Sequence, residues 1–164
     1  MSNWIDAGYP TIAKWGRMLS PEQRRVVAIA LAKFVIQKTG VEEKEYISDL
    51  IADEKIENSE KKRLLNELAE KTDTRYFDLH DAGDPQYIVY FLRAKSIFAM
   101  AAALFASDFE SFVNSLIEAL VAMVPDVLEF DRTGADSEAA GLRRLGDVAV
   151  QLGLADTNPL ATVH

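Results

Sequence analysis

The fold of this chain is decided by residues 87–106, which read YIVYFLRAKSIFAMAAALFA. The run is apolar except for Arg93, Lys95 and Ser96, and it has the length of about 20 residues that a membrane-spanning helix needs. However, each of its two cations would cost about 2.5–3.5 kcal/mol near the centre of a bilayer. Its many alanines also contribute little burial energy. We therefore predict a central bundle helix, apolar nearly all round, and no membrane span.

The two cations of this run are predicted to lie on different sides of the helix. At 3.6 residues per turn, positions two apart are separated by about 160° around the axis. Arg93 and Lys95 therefore cannot form one site on a single straight helix. Each is expected either to pair with a carboxylate or to extend along apolar neighbours to the surface. The alternative is that one of them lines a pocket and binds an anionic ligand.

Helix signals also dominate the first half of the chain. Residues 20–23 read SPEQ, which places a capping serine, a first-turn proline and a glutamine in the pattern of a capping box. Gly40 is predicted to end that helix. Leucines and isoleucines at helical spacing predict two further helices, the second of them capped at Asn58 or Ser59. Residues 72–83 are predicted to form a loop, after which Asp84 caps the central helix.

The second half begins with a second predicted capping box, from Ser107 to Glu110. The helix that follows has one continuous apolar stripe. The stripe consists of Phe109, Phe112, Val113, Leu116, Ile117, Leu120 and Val124. Pro125 is predicted to end this helix, and residues 131–134 are turn-prone. A last helix, with Leu142, Leu145, Ala149 and Leu152 on one face, is predicted to stop at Gly153.

These patterns predict an all-α protein that forms a single-domain bundle of six or seven helices. The central apolar helix, around residues 85–106, is expected to pack against residues 108–124. One helical domain is expected to cover residues 1–164, with a short N-terminal segment over 1–19 and a flexible tail over about 155–164.

Composition excludes several classes of chemistry. The chain has 164 residues, a net charge of −8 and no cysteine, which rules out disulfides, thiol nucleophiles and cysteine-bound zinc. Its only histidines are His80 and His164, too few for a three-histidine metal site. The negative charge disfavours nucleic-acid binding through a broad basic surface. The N-terminus has no signal-peptide pattern, so we expect a cytoplasmic protein.

Asp78, His80 and Asp81 form the only compact group of metal-ligand residue types in the sequence. A calcium loop that began at Asp78 would need oxygen donors where Ala82 and Val89 stand, so that motif fails. The three residues are therefore weak metal candidates. We predict a solvated turn there and no metal or cofactor.

The acidic residues near position 45 suggest a surface that binds a protein partner. They are Glu42, Glu43, Glu45, Asp49 and Asp53, and the last three are spaced to share one helix face. Such a surface steers a basic partner towards it. In general character, a small acidic helical protein of this kind is similar to immunity and antitoxin proteins, which inhibit basic toxins. We expect such a binding protein rather than an enzyme, because no catalytic motif is present.

Two alternatives stay open from the sequence. A metal-dependent hydrolase would use carboxylates from two helices, and the acidic run resembles helical nucleotide pyrophosphatases in this respect. The best second pair in this chain is Glu67 and Glu70. A small-ligand-binding or oligomeric helical module would instead show a cavity or a broad exposed apolar face. The sequence leaves the oligomeric state undetermined.

Overall fold

The protein is helical throughout the regular structure that its computed structural model describes. The description covers residues 8–123 and 135–161, without the side chains of 135–138. Within these ranges there are seven helices and no strand. The helices are α1 (Pro10–Met18), α2 (Pro21–Thr39), α3 (Lys44–Ala52), α4 (Asn58–Asp81), α5 (Tyr87–Ala103), α6 (Phe109–Ala122) and α7 (Ala135–Gln151). They pack into a single compact bundle, which confirms the predicted fold class.

The central position of α5 explains why its sequence is so apolar. It packs against α2, α4 and α6, and Ala94, Ile97 and Met100 on this helix are fully buried. Its alanines occupy little volume, so the backbones of neighbouring helices can approach closely. In the described part of the chain no helix is both long and apolar enough to cross a membrane.

Two buried hydroxyls fix α5 against its neighbours. Ser115 on α6 donates to the carbonyl oxygen of Ala99 at 2.8 Å. Ser96 lies 2.9 Å from the hydroxyl of Thr39 at the end of α2, and it can also donate to the carbonyl of Val35 at 3.3 Å. Because buried hydroxyls need partners, the Ser115 contact fixes α5 against α6, and the Ser96 contacts fix it against α2 close to Arg93.

The predicted caps of α2 are confirmed, but those at Asn58 or Ser59 and at Asp84 were wrong, because α4 and α5 are preceded by Glu57 and Gln86, whose side chains make no capping hydrogen bond. The Ser20 hydroxyl accepts from the backbone N–H of Gln23, whose side chain accepts in return from the backbone of Ser20. Gly40 ends α2 with a φ of 70°, in the left-handed region. The capping box predicted from Ser107 to Glu110 is displaced by one residue. Asp108, not Ser107, caps α6 and accepts from the N–H of Ser111.

The predicted loop over residues 72–83 was wrong, since α4 continues to Asp81. The hydroxyls of Thr72 and Thr74 donate to the carbonyls four residues earlier, at 2.9 and 3.0 Å, so these residues do not compete with the helix. Only Gly83, at a φ of 72°, turns the chain. Asp84 accepts from the N–H of Gln86 in this turn, and α5 begins at Tyr87.

The described part of the C-terminal segment, which the sequence predicts to be a flexible tail, packs against α7. The side-chain amide of Asn158 bonds to α7, and Leu160 is only 1% exposed. Leu152, predicted to lie on the buried face of α7, is instead exposed. The predicted stop at Pro125, the turn over 131–134 and the first seven residues lie outside the described ranges.

Candidate functional site

The short helix α3 presents an acidic surface to solvent. Its inner side is fixed by Ile47 and Leu50, which are buried three residues apart on one face. Ile51 is half-buried and packs against the same core, and the remaining positions of the helix are exposed. These include Glu45, Tyr46 and Asp49, and Asp53 follows at the C-terminal end of the helix. We call Glu45, Tyr46, Asp49 and Asp53 the α3 acidic surface.

The carboxylates of this surface are not neutralised by nearby cations. Among the described residues, no lysine or arginine nitrogen lies within 4.0 Å of the carboxylates of Glu45, Asp49 or Asp53. Residues 41–60 contain eight carboxylates and only two lysines. Tyr46, which lies beside these carboxylates on α3, is 47% exposed. The region therefore combines uncompensated negative charge with an accessible aromatic ring.

A groove between α2 and α3 adjoins the α3 acidic surface, since Glu45 belongs to both. It has a volume of about 350 Å³. Its apolar lining includes Ile36, Ile47, Ile51 and Met100, and its polar lining comprises Lys33, Gln37, Lys44, Glu45 and Ser48. A groove of this composition can receive an apolar side chain of a bound protein.

Glu42 and Glu43 do not share the α3 acidic surface, although the sequence grouped them with it. Glu42 accepts from Arg93 on α5, with 3.3 Å between Oε1 and Nη1. The Nε of Arg93 also donates to the carbonyl of Thr39 at 3.2 Å. Of the five predicted partner-binding carboxylates, three lie on the α3 acidic surface and two belong to a second site around Arg93.

This second site is a cleft of about 160 Å³ between the α2–α3 connection, α4 and α5. It is lined by Val41, Glu42, Glu43, Leu68, Lys71, Thr72, Arg75, Tyr90 and Arg93, and we call it the Arg93 cleft. The guanidinium groups of Arg75 and Arg93 lie 4.5 and 5.2 Å from the centre of the Tyr90 ring. The Oε2 atom of Glu43 is buried and has no hydrogen-bond partner.

Lys95 makes a separate set of contacts. Its Nζ lies 3.4 Å from Oε2 of Glu118 on α6 and faces the rings of Phe91 and Phe98. Burial raises the pKa of the Glu118 carboxyl, while Lys95 lowers it and the nearby charge of Asp73 raises it further. Burial therefore outweighs the attraction of the lysine. Arg93 and Lys95 meet carboxylates on different elements, in line with the predicted separation around the helix.

The weak metal candidates lie in the last turn of α4. Asp78, His80 and Asp81 are exposed, and Nδ1 of His80 lies 3.8 Å from Oδ1 of Asp81. Across residues 8–123 and 135–161, no group of three or more histidines and carboxylates is placed to hold a metal ion. Glu67, a candidate for the second acidic motif, is paired with Arg63 at 3.2 Å.

An aromatic cluster at the α4–α5 turn is a feature that sequence reasoning missed. Its rings belong to Tyr76, Phe77, His80, Tyr87 and Phe91, and Tyr76 contacts each of the others. Phe77 is 55% exposed. The sequence does contain a signal for this cluster, because its aromatic residues recur four apart on both sides of the turn. The predicted loop over residues 72–83 left no helix on which that spacing could be recognised.

Comparison of the chain with protein-family models, with curated proteins and with solved structures gave no match.

Proposed function

We propose that this chain binds a basic protein partner through the α3 acidic surface. The observation that carries the proposal is the set of three carboxylates with no cationic nitrogen of the described residues within 4.0 Å. Uncompensated surface charge accelerates the encounter with an oppositely charged protein and disfavours acidic ones. Tyr46 supplies the type of side chain that contributes most at interface centres. The adjoining α2–α3 groove offers room for an apolar side chain of the partner.

The negative charge of the α3 acidic surface also suggests the general class of partner. A basic enzyme that acts on nucleic acid would present a cationic surface that fits these carboxylates, so inhibition of such an enzyme is the activity we propose. This is the role of an immunity or antitoxin protein. The absence of cysteine fits a reducing compartment, and we place the interaction in the cytoplasm.

The proposal can be tested by cross-linking from the α3 acidic surface. A photoreactive phenylalanine analogue is placed at Tyr46, and the same analogue is placed at Val150, an exposed position on α7, as a control. We expect the residue 46 probe to capture a basic protein that the residue 150 probe does not. Binding of that protein, once purified, is then measured by calorimetry at low and high salt.

Charge reversal provides the quantitative part of the test. D49K changes the α3 acidic surface, whereas D156K reverses an exposed charge beside α1, which packs on α6 rather than on α3. Because one rim charge pair contributes up to about 1 kcal/mol, reversal should weaken binding about five- to tenfold. D156K should bind like the wild type. Equal affinity of D49K and the wild type at low salt would show that this surface does not bind the partner.

A further inference from the structure

We propose that Lys61 is the residue that positions the α3 acidic surface for its partner. In this role it holds the C-terminal end of α3 on α4, so that Asp49 and Asp53 meet the partner in fixed places. The inference rests on the proposed function, since it gives a buried residue a part in partner binding. It is carried by the burial of Lys61, by its hydrogen bond to α3, and by the composition of the last turn of α3.

Lys61 is buried, which is unusual for a lysine. Lysine side chains are almost never fully buried unless a partner satisfies their ammonium group. Lys61, on α4, is only 6% exposed. Among the described residues, no carboxylate oxygen lies within 4.0 Å of its Nζ atom. This atom instead donates to the carbonyl oxygen of Ile51 on α3 at 2.8 Å. The buried ammonium group is therefore directed at α3.

The contact provides a cap for the C-terminal end of α3. The last four carbonyls of a helix have no partner within the helix, and a cation beside them is favoured by the helix dipole. The last turn of α3 has no basic residue of its own, and the residue that follows the helix, Asp53, is acidic. Lys61 reaches the carbonyl of Ile51 from the next helix, ten positions along the chain. The end of α3 thus depends on a cation that α4 supplies.

The two ends of α3 are held from different helices. Arg93, on α5, bonds to the carbonyl of Thr39 and to Glu42, and so holds the connection that precedes α3. The helix itself is only nine residues long and buries two of them. Loss of the Lys61 contact should therefore loosen the end that carries Asp49 and Asp53, while the other end stays attached.

Hydrogen exchange in the free full-length chain tests this anchor without the partner. K61M keeps an unbranched side chain but removes the donor, and K55M removes the same charge from an exposed lysine between α3 and α4. Because a carbonyl that loses its buried donor is destabilised, the amides of Lys44–Ala52 should exchange about tenfold faster in K61M. They should exchange at the wild-type rate in K55M, and α2 and α5 should stay protected in both variants.

A spectroscopic readout on the wild type does not depend on how K61M folds. The Nζ–H signal of Lys61 should persist in NMR spectra under conditions in which the signals of exposed lysines such as Lys55 are lost to exchange with water. Loss of the Lys61 signal together with that of Lys55 would overturn the proposal.

A double-mutant cycle with the purified partner tests the positioning role. K61M and K55M both make the chain more negative, so charge alone predicts that neither binds a basic partner more weakly than the wild type. We expect K61M to bind about fivefold more weakly, because contacts of Asp49 and Asp53 are lost. D49K should then have less effect in K61M than in the wild type, since the two changes act on the same contact.

The outcomes separate this inference from the proposed function. The role of Lys61 is overturned if K61M exchanges and binds like K55M, or if K61M and D49K weaken binding additively. If D49K binds the partner as tightly as the wild type, the proposed function fails instead. The exchange of Lys44–Ala52 in K61M then shows separately whether Lys61 anchors this helix.

Discussion

The substitution G146A should release the C-terminal segment from α7. Gly146 is buried on α7, and a methyl group at this position would overlap the side-chain amide of Asn158. That amide donates to the carbonyl of Arg143 and to the carboxylate of Asp147, both at 2.9 Å. Its oxygen accepts from two backbone N–H groups, those of residues 160 and 161. One added methyl group therefore displaces the side chain that anchors the segment.

The expected loss of stability in G146A can be estimated from these contacts. Four hydrogen bonds contribute about 0.5–1.5 kcal/mol each, and the burial of Leu160, which is 1% exposed, contributes about 1.5–3 kcal/mol. Ordering the backbone of the segment opposes this gain by about 1–2 kcal/mol per residue, so the net loss on release is small. Alanine also favours the helix over glycine by about 1 kcal/mol. We expect the free energy of unfolding to fall by about 1–2 kcal/mol, or Tm to fall by about 2–8 °C.

Hydrogen exchange followed by mass spectrometry measures the release directly. In G146A the amides of residues 155–161 should exchange faster, while those of α2 and α5 stay protected. N158A removes the same hydrogen bonds without steric overlap and should give the same pattern. G8A is the matched control, because nothing lies within 4 Å of a methyl group there. If residues 155–161 exchange in G146A as slowly as in the wild type, the proposed anchoring is wrong.

Three further substitutions test other parts of the structure. S20A removes the hydroxyl that caps α2 and should lower the free energy of unfolding in urea by about 1 kcal/mol; an unchanged urea midpoint would contradict the capping role. G40A places a methyl group at a φ of 70° and should cost about 1–2 kcal/mol in the same assay; a gain in stability would contradict the helix end described. Because burial raises the pKa of Glu118 above its usual 4.5, ionised Glu118 destabilises the fold at neutral pH, and this penalty disappears as the pH falls through the raised pKa. The stability of the wild type relative to E118Q should therefore increase from pH 7 towards pH 4.5 in urea titrations, and a flat or opposite trend would show that burial does not dominate.

Much of the fold was predictable because its signals are local. The residues that cap α2 lie within four positions of each other, and Gly40 needs only its own backbone freedom. The central role of α5 follows from its composition alone. The end of α4 was not predictable in this way, since two threonines near residue 72 are compatible with a loop or with a helix. Their hydroxyls bond to the preceding turn, and contacts with α5 keep the helix intact.

The candidate sites were only partly predictable, because they depend on how helices are placed relative to each other. The spacing of Glu45, Asp49 and Asp53 indicates a shared surface. Helical spacing does not reveal that Glu42 turns towards Arg93, since residue 42 precedes α3 and its direction depends on the chain after Gly40. The Arg93 cleft joins residues about 50 positions apart, so only the packed structure brings them together.

Hydrogen exchange of the protein with and without its purified partner tests the central claim most directly. The claim is that the partner binds the α3 acidic surface. We predict that binding slows exchange over Lys44–Ala52, and that D49K reduces this protection at equal partner concentration. Unchanged exchange over Lys44–Ala52, with protection confined to other helices, would contradict the account.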